Sequence, residues 1–257
     1  MQDIGVSRQG FVVTVEIQRP PNNFLDIDLI SDLGDLFYEL DKDESCRAIV
    51  LAAAGKHFSA GANLGRRVAD DEAGKKRDER RHLYNEALRL VENKKPIVAA
   101  IHGAAIGAGL GLALLADFRV SCKDARFSAN FARQGYHPGF GMTCTLPRVV
   151  GDQKAAWLFY TGARIDGQEA FRIGLVDGCV ALDDVRRAAQ EMAAEIAASG
   201  PLAIAATRTT LRRTLARDFK DATAREAFEQ RWLRETEDFR EGVKAMNERR
   251  LPDFTGK

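Results

Sequence analysis

With 257 residues the chain exceeds the usual domain length of roughly 100–150, so one large domain, or one domain with an appendage, is expected, and either can bury a real core. Lys and Arg number 38 against 37 Asp and Glu, a formal net charge of +1, and 29% of residues are charged and 45% hydrophobic. That balance excludes an intrinsically disordered chain and a dedicated nucleic-acid binder.

Residues 11–18 (FVVTVEIQ) alternate and are rich in β-branched side chains, which predicts a strand closed by the turn 19–23. Leu29, Leu33, Leu36, Phe37 and Leu40 recur at helical spacing and predict an amphipathic helix over 29–40. Short apolar runs at 48–52 and 97–101 suit buried strands, with helical sequence at 79–92 between them. This alternation predicts an α/β fold, a sheet with crossover helices. A helix from Gly107 to Ala116, a strand over 118–121, a glycine-rich loop over 134–141, helical sequence over 142–161 and a strand over 176–180 follow. From Asp183 to Arg250 the period is helical throughout, with Pro201 at a helix start. The expected organisation is an α/β core over residues 1–195 and a helical region over 196–257. The charge-rich stretch 65–81 reads as a loop or a solvated helix lead-in.

Cys46, Cys122, Cys144 and Cys179 stand singly, without the spacing of a zinc site, so reduced thiols and no metal centre are expected. The start, MQDIGVSRQG, has neither a basic nor an apolar leader segment, and no apolar run approaches about 18 residues. A cytoplasmic protein without membrane contact is expected.

Two places combine a strand, a small-residue turn and, in the second, a helix: 48–64, with Ser59-Ala60-Gly61-Ala62, and 96–117, with Gly103, Gly107, Gly109 and Gly111. Small residues let a ligand approach the backbone closely. A helix starting near Gly107 leaves its first N–H groups unpaired, with the macrodipole adding positive potential. Two such donors, one per loop, would hold an oxygen that gains charge in a transition state, at about 3 kcal/mol per donor. Glycines serving only close helix packing is the competing reading. A dinucleotide fingerprint fails on spacing, because its third glycine would fall at Leu112.

GKHFSAGANL, then KPIVAAIHGAAIGAGLGLALLADFRVS, ARFSANFARQGYHPGFGMTCTLPRVVG, TGARIDGQEAFRIGLVD and the terminal EDFREGVKAMNERRLPDFTGK together resemble the crotonase superfamily of enoyl-CoA hydratases and isomerases over nearly the whole chain. The resemblance implies a spiral of βαβ units with a C-terminal helical trimerisation region, a homotrimer or hexamer, and an acyl-CoA thioester as ligand with no separate cofactor. It assigns the oxyanion-hole N–H groups to Ala62 and Ala108. It places CoA and acyl contacts at His57, Ser59, Ala60, Asn63, Leu64, Gly107 and Phe131.

The departures from the family pattern bear on chemistry. Gly111 and Phe131 stand where family hydratases carry their two catalytic glutamates, and Gly139 where other members carry an aspartate. Hydration needs a base to activate water and an acid to protonate the α-carbon, each contributing roughly 10²–10⁴-fold, so slow hydration is expected. The SANF block looks similar to decarboxylating members that also lack both glutamates. His137, able to titrate near neutrality, and Tyr136 are the side-chain candidates for proton transfer, against a His137 that only fixes its loop. His57 is a candidate CoA contact, His102 a satisfied core histidine, and Arg66 and Arg67 candidate phosphate contacts. Two functions stay open: an acyl-CoA enzyme working through a thioester enolate, as a lyase or isomerase, and a non-catalytic acyl-CoA binder.

Overall fold

The computed structural model describes residues 2–63 and 82–257. Leu64, Arg66, Arg67 and the rest of the stretch read as a charged loop lie outside the described residues.

The strands are β1 (Ile4–Gln9), β2 (Val12–Ile17), β3 (Ala48–Ala53), β4 (Ile97–Ile101), β5 (Ala104–Ile106), β6 (Phe118–Cys122), β7 (Arg126–Ser128), β8 (Arg164–Asp166) and β9 (Gly178–Val180). The helices are α1 (Ile27–Lys42), α2 (Leu83–Val91), α3 (Ala108–Leu115), α4 (Met142–Val150), α5 (Asp152–Thr161), α6 (Gly167–Arg172), α7 (Val185–Ala198), α8 (Pro201–Leu211), α9 (Leu215–Leu233) and α10 (Glu237–Glu248). The main sheet has the order β1-β2-β3-β4-β6-β9, parallel from β2 onward, with β1 added antiparallel through the two-residue turn Gly10-Phe11. β3 and β4 are buried at every residue, as strands covered on both faces must be. Helix α7 packs across β3, β4 and β6 and covers the sheet, so a domain boundary at 195 falls within an element of the core.

The sequence reading misses β1, because IGVSRQ is a mostly exposed edge strand with little apolar alternation, and the second sheet, β5-β7-β8, because three-residue strands carry too short a pattern to register. The helical stretch 142–161 is two helices, broken where Gly151 adopts φ +78. Pro201 occupies the first turn of α8, where its missing N–H costs nothing.

Charged contacts fasten the C-terminal helices to the core. Arg208 and Arg212, one turn apart, both reach Asp117 at 3.0 Å, and Asp117 also accepts the N–H of Ile97 at the start of β4. Of the large apolar residues on the C-terminal helices, Leu215 and Phe219 are buried within the chain, whereas Leu211, Phe228 and Trp232 are exposed. Trp157 of α5 is also half exposed.

Helix α4 has no capping side chain of its own, since its N-cap is Gly141. Glu226 of α9 takes that role: its carboxylate accepts the N–H of Gly141 at 2.7 Å, the N–H of Thr143 at 3.0 Å and the Thr143 hydroxyl at 2.7 Å. Burial outweighs these bonds and pushes its pKa from 4.5 up to about 7. The folded chain therefore holds this proton more tightly than the unfolded chain. The contribution to stability is complete below pH 4.5 and is lost as pH rises to about 7, on the order of 3 kcal/mol in all. Thermal unfolding of wild type and Glu226→Gln between pH 4.5 and 8 is expected to show a steeper decline for wild type; parallel pH profiles would contradict the assignment.

Candidate active site

Two backbone segments meet beside a cavity of about 520 Å³. Ser59 donates its N–H to Ala104 O at 2.9 Å and accepts from Ile106 N–H at 3.0 Å, so the loop after β3 is pinned to β5 by a single parallel bridge. Gly61 has φ +83, and a Cβ there would stand 2.5 Å from Ile106 O and 3.2 Å from the nitrogen of Ala108. A Cβ on Gly109 would stand 2.4 Å from Ser59 O. Only glycine permits this approach at either position.

The chain enters α3 through Gly107, at φ 54, ψ −123, so Ala108 is the first helical residue and its N–H has no intrahelical acceptor. Ala62 and Ala108 both line the cavity, and their N–H groups meet no acceptor among the described residues. The arrangement presents two backbone donors, one backed by a helix N-terminus, to one space. It is suited to an oxygen gaining negative charge.

Beyond the donors the wall is aromatic and then polar. A Cβ on Gly107 would lie 3.8 Å from Phe131 Cζ. At Gly111 it would lie 2.9 Å from Phe140 Cδ1, and at Gly139 2.1 Å from the Tyr84 hydroxyl and 2.4 Å from Gln230 Nε2. Tyr84 donates its hydroxyl to Gln230 Oε1 at 2.7 Å and Tyr136 does so at 3.1 Å, while Gln230 Nε2 donates to the carbonyl of His137 at 3.0 Å. Arg234 Nε donates to the Tyr136 oxygen at 2.7 Å. Among the described residues lining the cavity there is no Asp or Glu.

Of the residues singled out in the sequence, His57, Ala60, Ala62, Asn63, Gly107, Ala108, Phe131 and Tyr136 line this cavity. Ser59 does not. It is fully buried, its hydroxyl donating to Asn23 O at 2.8 Å and accepting from Gly61 N–H at 3.1 Å, so it shapes the loop rather than contacting a ligand. His137 does not line it either. It borders a second, open cavity with Pro138 and Trp232, and its Nδ1 donates to Pro138 O at 2.7 Å, which corrects the expectation of a proton-transfer group. Leu64 lies outside the described residues.

Burial, and then Lys56, lower the pKa of His57. His82 caps α2 by accepting the N–H of Tyr84 and lines the cavity. His102 Nε2 meets Gly55 O at 2.8 Å, and burial lowers its pKa too. Sequence reasoning missed Tyr84, Phe140, Gln230 and Arg234. Gln230 and Arg234 lie on a C-terminal helix whose apolar period was its only legible signal.

Residues 7–257 match the Enoyl-CoA hydratase/isomerase family, and the chain belongs to it. It is similar to the 2,3-dehydroadipyl-CoA hydratase of Escherichia coli, 33% identical over 258 residues with both chains covered in full. It is also similar to the crotonyl-CoA hydratase of Syntrophomonas wolfei, 30% identical over 259 residues, covering 100% of this chain and 99% of that one. The crystal structure of an enoyl-CoA hydratase/isomerase from Pseudoalteromonas atlantica superposes with a TM-score of 0.87 at 28% identity, covering 98% of this chain and 100% of the other. The α/β architecture with C-terminal helices is thus the crotonase fold.

The packing at Gly111 has a testable consequence. A carboxylate side chain there has to displace Phe140, which is itself buried and held at φ +62. Gly111→Glu with Phe131→Glu is expected to lower thermal stability by about 1–3 kcal/mol through overpacking, without gaining hydration of crotonyl-CoA. Adding Phe140→Gly, which opens the space and suits the positive φ, is the variant expected to recover folding. A Gly111→Glu/Phe131→Glu protein that melts with wild type would refute this account of the wall.

Proposed function

We propose that this protein processes an acyl-CoA thioester, its carbonyl oxygen held by the N–H groups of Ala62 and Ala108, through a stabilised enolate rather than by efficient hydration. The observation that carries the reading is two acceptor-free backbone donors beside a cavity with no Asp or Glu among its described lining residues. A hydratase needs a base for water and an acid for the α-carbon, and the described lining holds no carboxylate for either role.

Lyase chemistry asks less of the side chains. The bond between the α-carbon and a β-carboxylate breaks, and its electron pair passes into the thioester carbonyl as an enolate. CO₂ leaves, and the α-carbon then takes one proton. Tyr136 is the candidate donor, since it lines the cavity: its hydroxyl proton, held by Gln230 Oε1 at 3.1 Å, passes to the α-carbon, the Arg234 Nε–H steadies the phenolate, and water reprotonates it.

The same reading includes a homotrimer or a dimer of trimers, supported by the exposed Leu211, Phe228 and Trp232 of the C-terminal helices. No described helix is long and apolar enough to cross a membrane, and a cytoplasmic location is part of the proposal. Light scattering is expected to give a trimer or hexamer at micromolar concentration; a stable monomer would count against it.

Wild type is expected to hydrate crotonyl-CoA at least roughly 10³-fold more slowly than family hydratases. Across a panel of acyl-CoA esters, turnover of whichever is processed should fall by roughly 10²-fold or more in Ala108→Pro. That variant removes one donor at a first helical position, where proline is tolerated. Unchanged turnover there would sink the oxyanion assignment. Esters that shift the melting temperature while none turns over would identify a binder instead.

A further inference from the structure

The cavity is one-sided in charge: Arg126, Arg164 and Arg234 line it, with no Asp or Glu among its described lining residues. The three arginines are not equivalent. Arg126 and Arg164 lie exposed on β7 and β8, and Arg126 turns one nitrogen back to the carbonyls of Lys123 and Ala125. Arg234 is half-buried at the polar end of the wall. From the donor pair at Ala62 and Ala108 the surface runs past Phe131 and Phe140 to the Gln230 cluster that carries Arg234.

That cluster holds Arg234 in place. Its Nε is committed to Tyr136, whose ring packs on Phe239 at 4.9 Å and whose hydroxyl is committed to Gln230. Gln230 in turn has both ends occupied, Oε1 by two hydroxyls and Nε2 by the carbonyls of His137 and Pro138. The two terminal guanidinium nitrogens of Arg234 have no hydrogen-bond partner and no ion-pair partner among the described residues. A half-buried cation fixed by neutral groups, with its planar fork unused, matches a carboxylate in geometry and charge.

We infer that the acyl group of the thioester carries a second, distal carboxylate, and that Arg234 binds it while Phe131 and Phe140 flank the methylene chain between. This rests on the acyl-CoA reading above and adds the class of acyl group: a dicarboxylic acid esterified to CoA at one end. Arg234 is a specificity residue here, and the carboxylate it grips is a recognition group.

The test is a titration calorimetry series on the full chain with matched pairs of thioesters: butyryl- against succinyl-CoA, pentanoyl- against glutaryl-CoA, hexanoyl- against adipyl-CoA. Wild type is expected to bind the carboxylated member at least roughly tenfold more tightly at one chain length. Arg234→Gln should abolish that preference while leaving the neutral ester within about twofold, and Arg234→Lys should restore part of it. Equal affinities within every pair for wild type would overturn the inference. So would Arg234→Gln weakening both members alike, which would place Arg234 on the phosphates of CoA. If no thioester binds, the acyl-CoA reading itself falls, an outcome distinct from binding without preference.

Discussion

The close passage of two backbone segments, the loop at Ser59–Ala62 and the turn at Ile106–Gly109, is the constraint on which the site depends. Ser59 and β5 exchange hydrogen bonds as neighbouring strands do, and at Gly61 and Gly109 a single added carbon would collide with a carbonyl oxygen of the opposite segment. Once that approach is made, the N–H groups of Ala62 and Ala108 open on one cavity without any side chain having to aim them. The buried hydroxyl of Ser59 and the side chain of Asn23, which donates to Ala54 O and His57 O, hold the first segment from behind. Rigid donors of this kind require no reorganisation as charge develops, the main advantage of backbone over side-chain stabilisation.

Around this fixed centre the wall has been filled rather than emptied. Phe140 lies against Gly111 and the Tyr84–Gln230 pair against Gly139, so the small residues at those positions are occupied space and not room for water. The aromatic rings lower the local dielectric, and the Gln230 amide supplies hydrogen bonds without supplying a base. In such surroundings a negative charge is best placed next to the backbone donors, and a cation such as Arg234 acts over a longer range than it would in water.

The C-terminal helices contribute to both stability and site. Helix α8 is held by the shared carboxylate of Asp117, and α9 sends Glu226 to the start of α4, Gln230 to the two tyrosines and Arg234 to the cavity. Glu226, Gln230 and Arg234 are spaced by four residues and so lie along one face of the helix. A helix that the family resemblance assigns to a trimerisation region is thus also part of the pocket wall.

Much of the fold was legible because it rests on local pattern. Alternation in FVVTVEIQ, the solid apolar runs at 48–52 and 97–101, helical spacing at Leu29–Leu40 and Pro201 at a helix start each depend on residues close together in the chain, and each forms at or near its expected place. The glycine-rich turns were legible for the same reason, since a positive φ or a missing Cβ is a property of one residue. What the chain alone did not disclose is which distant groups come together. Nothing local marks Arg234 apart from the other basic residues of its helix, or tells that Phe140 faces Gly111 and that His137 turns away to a second cavity. Those are contacts across tens to hundreds of residues, decided by how the helices pack on the sheet, and only the folded chain brings the partners within reach.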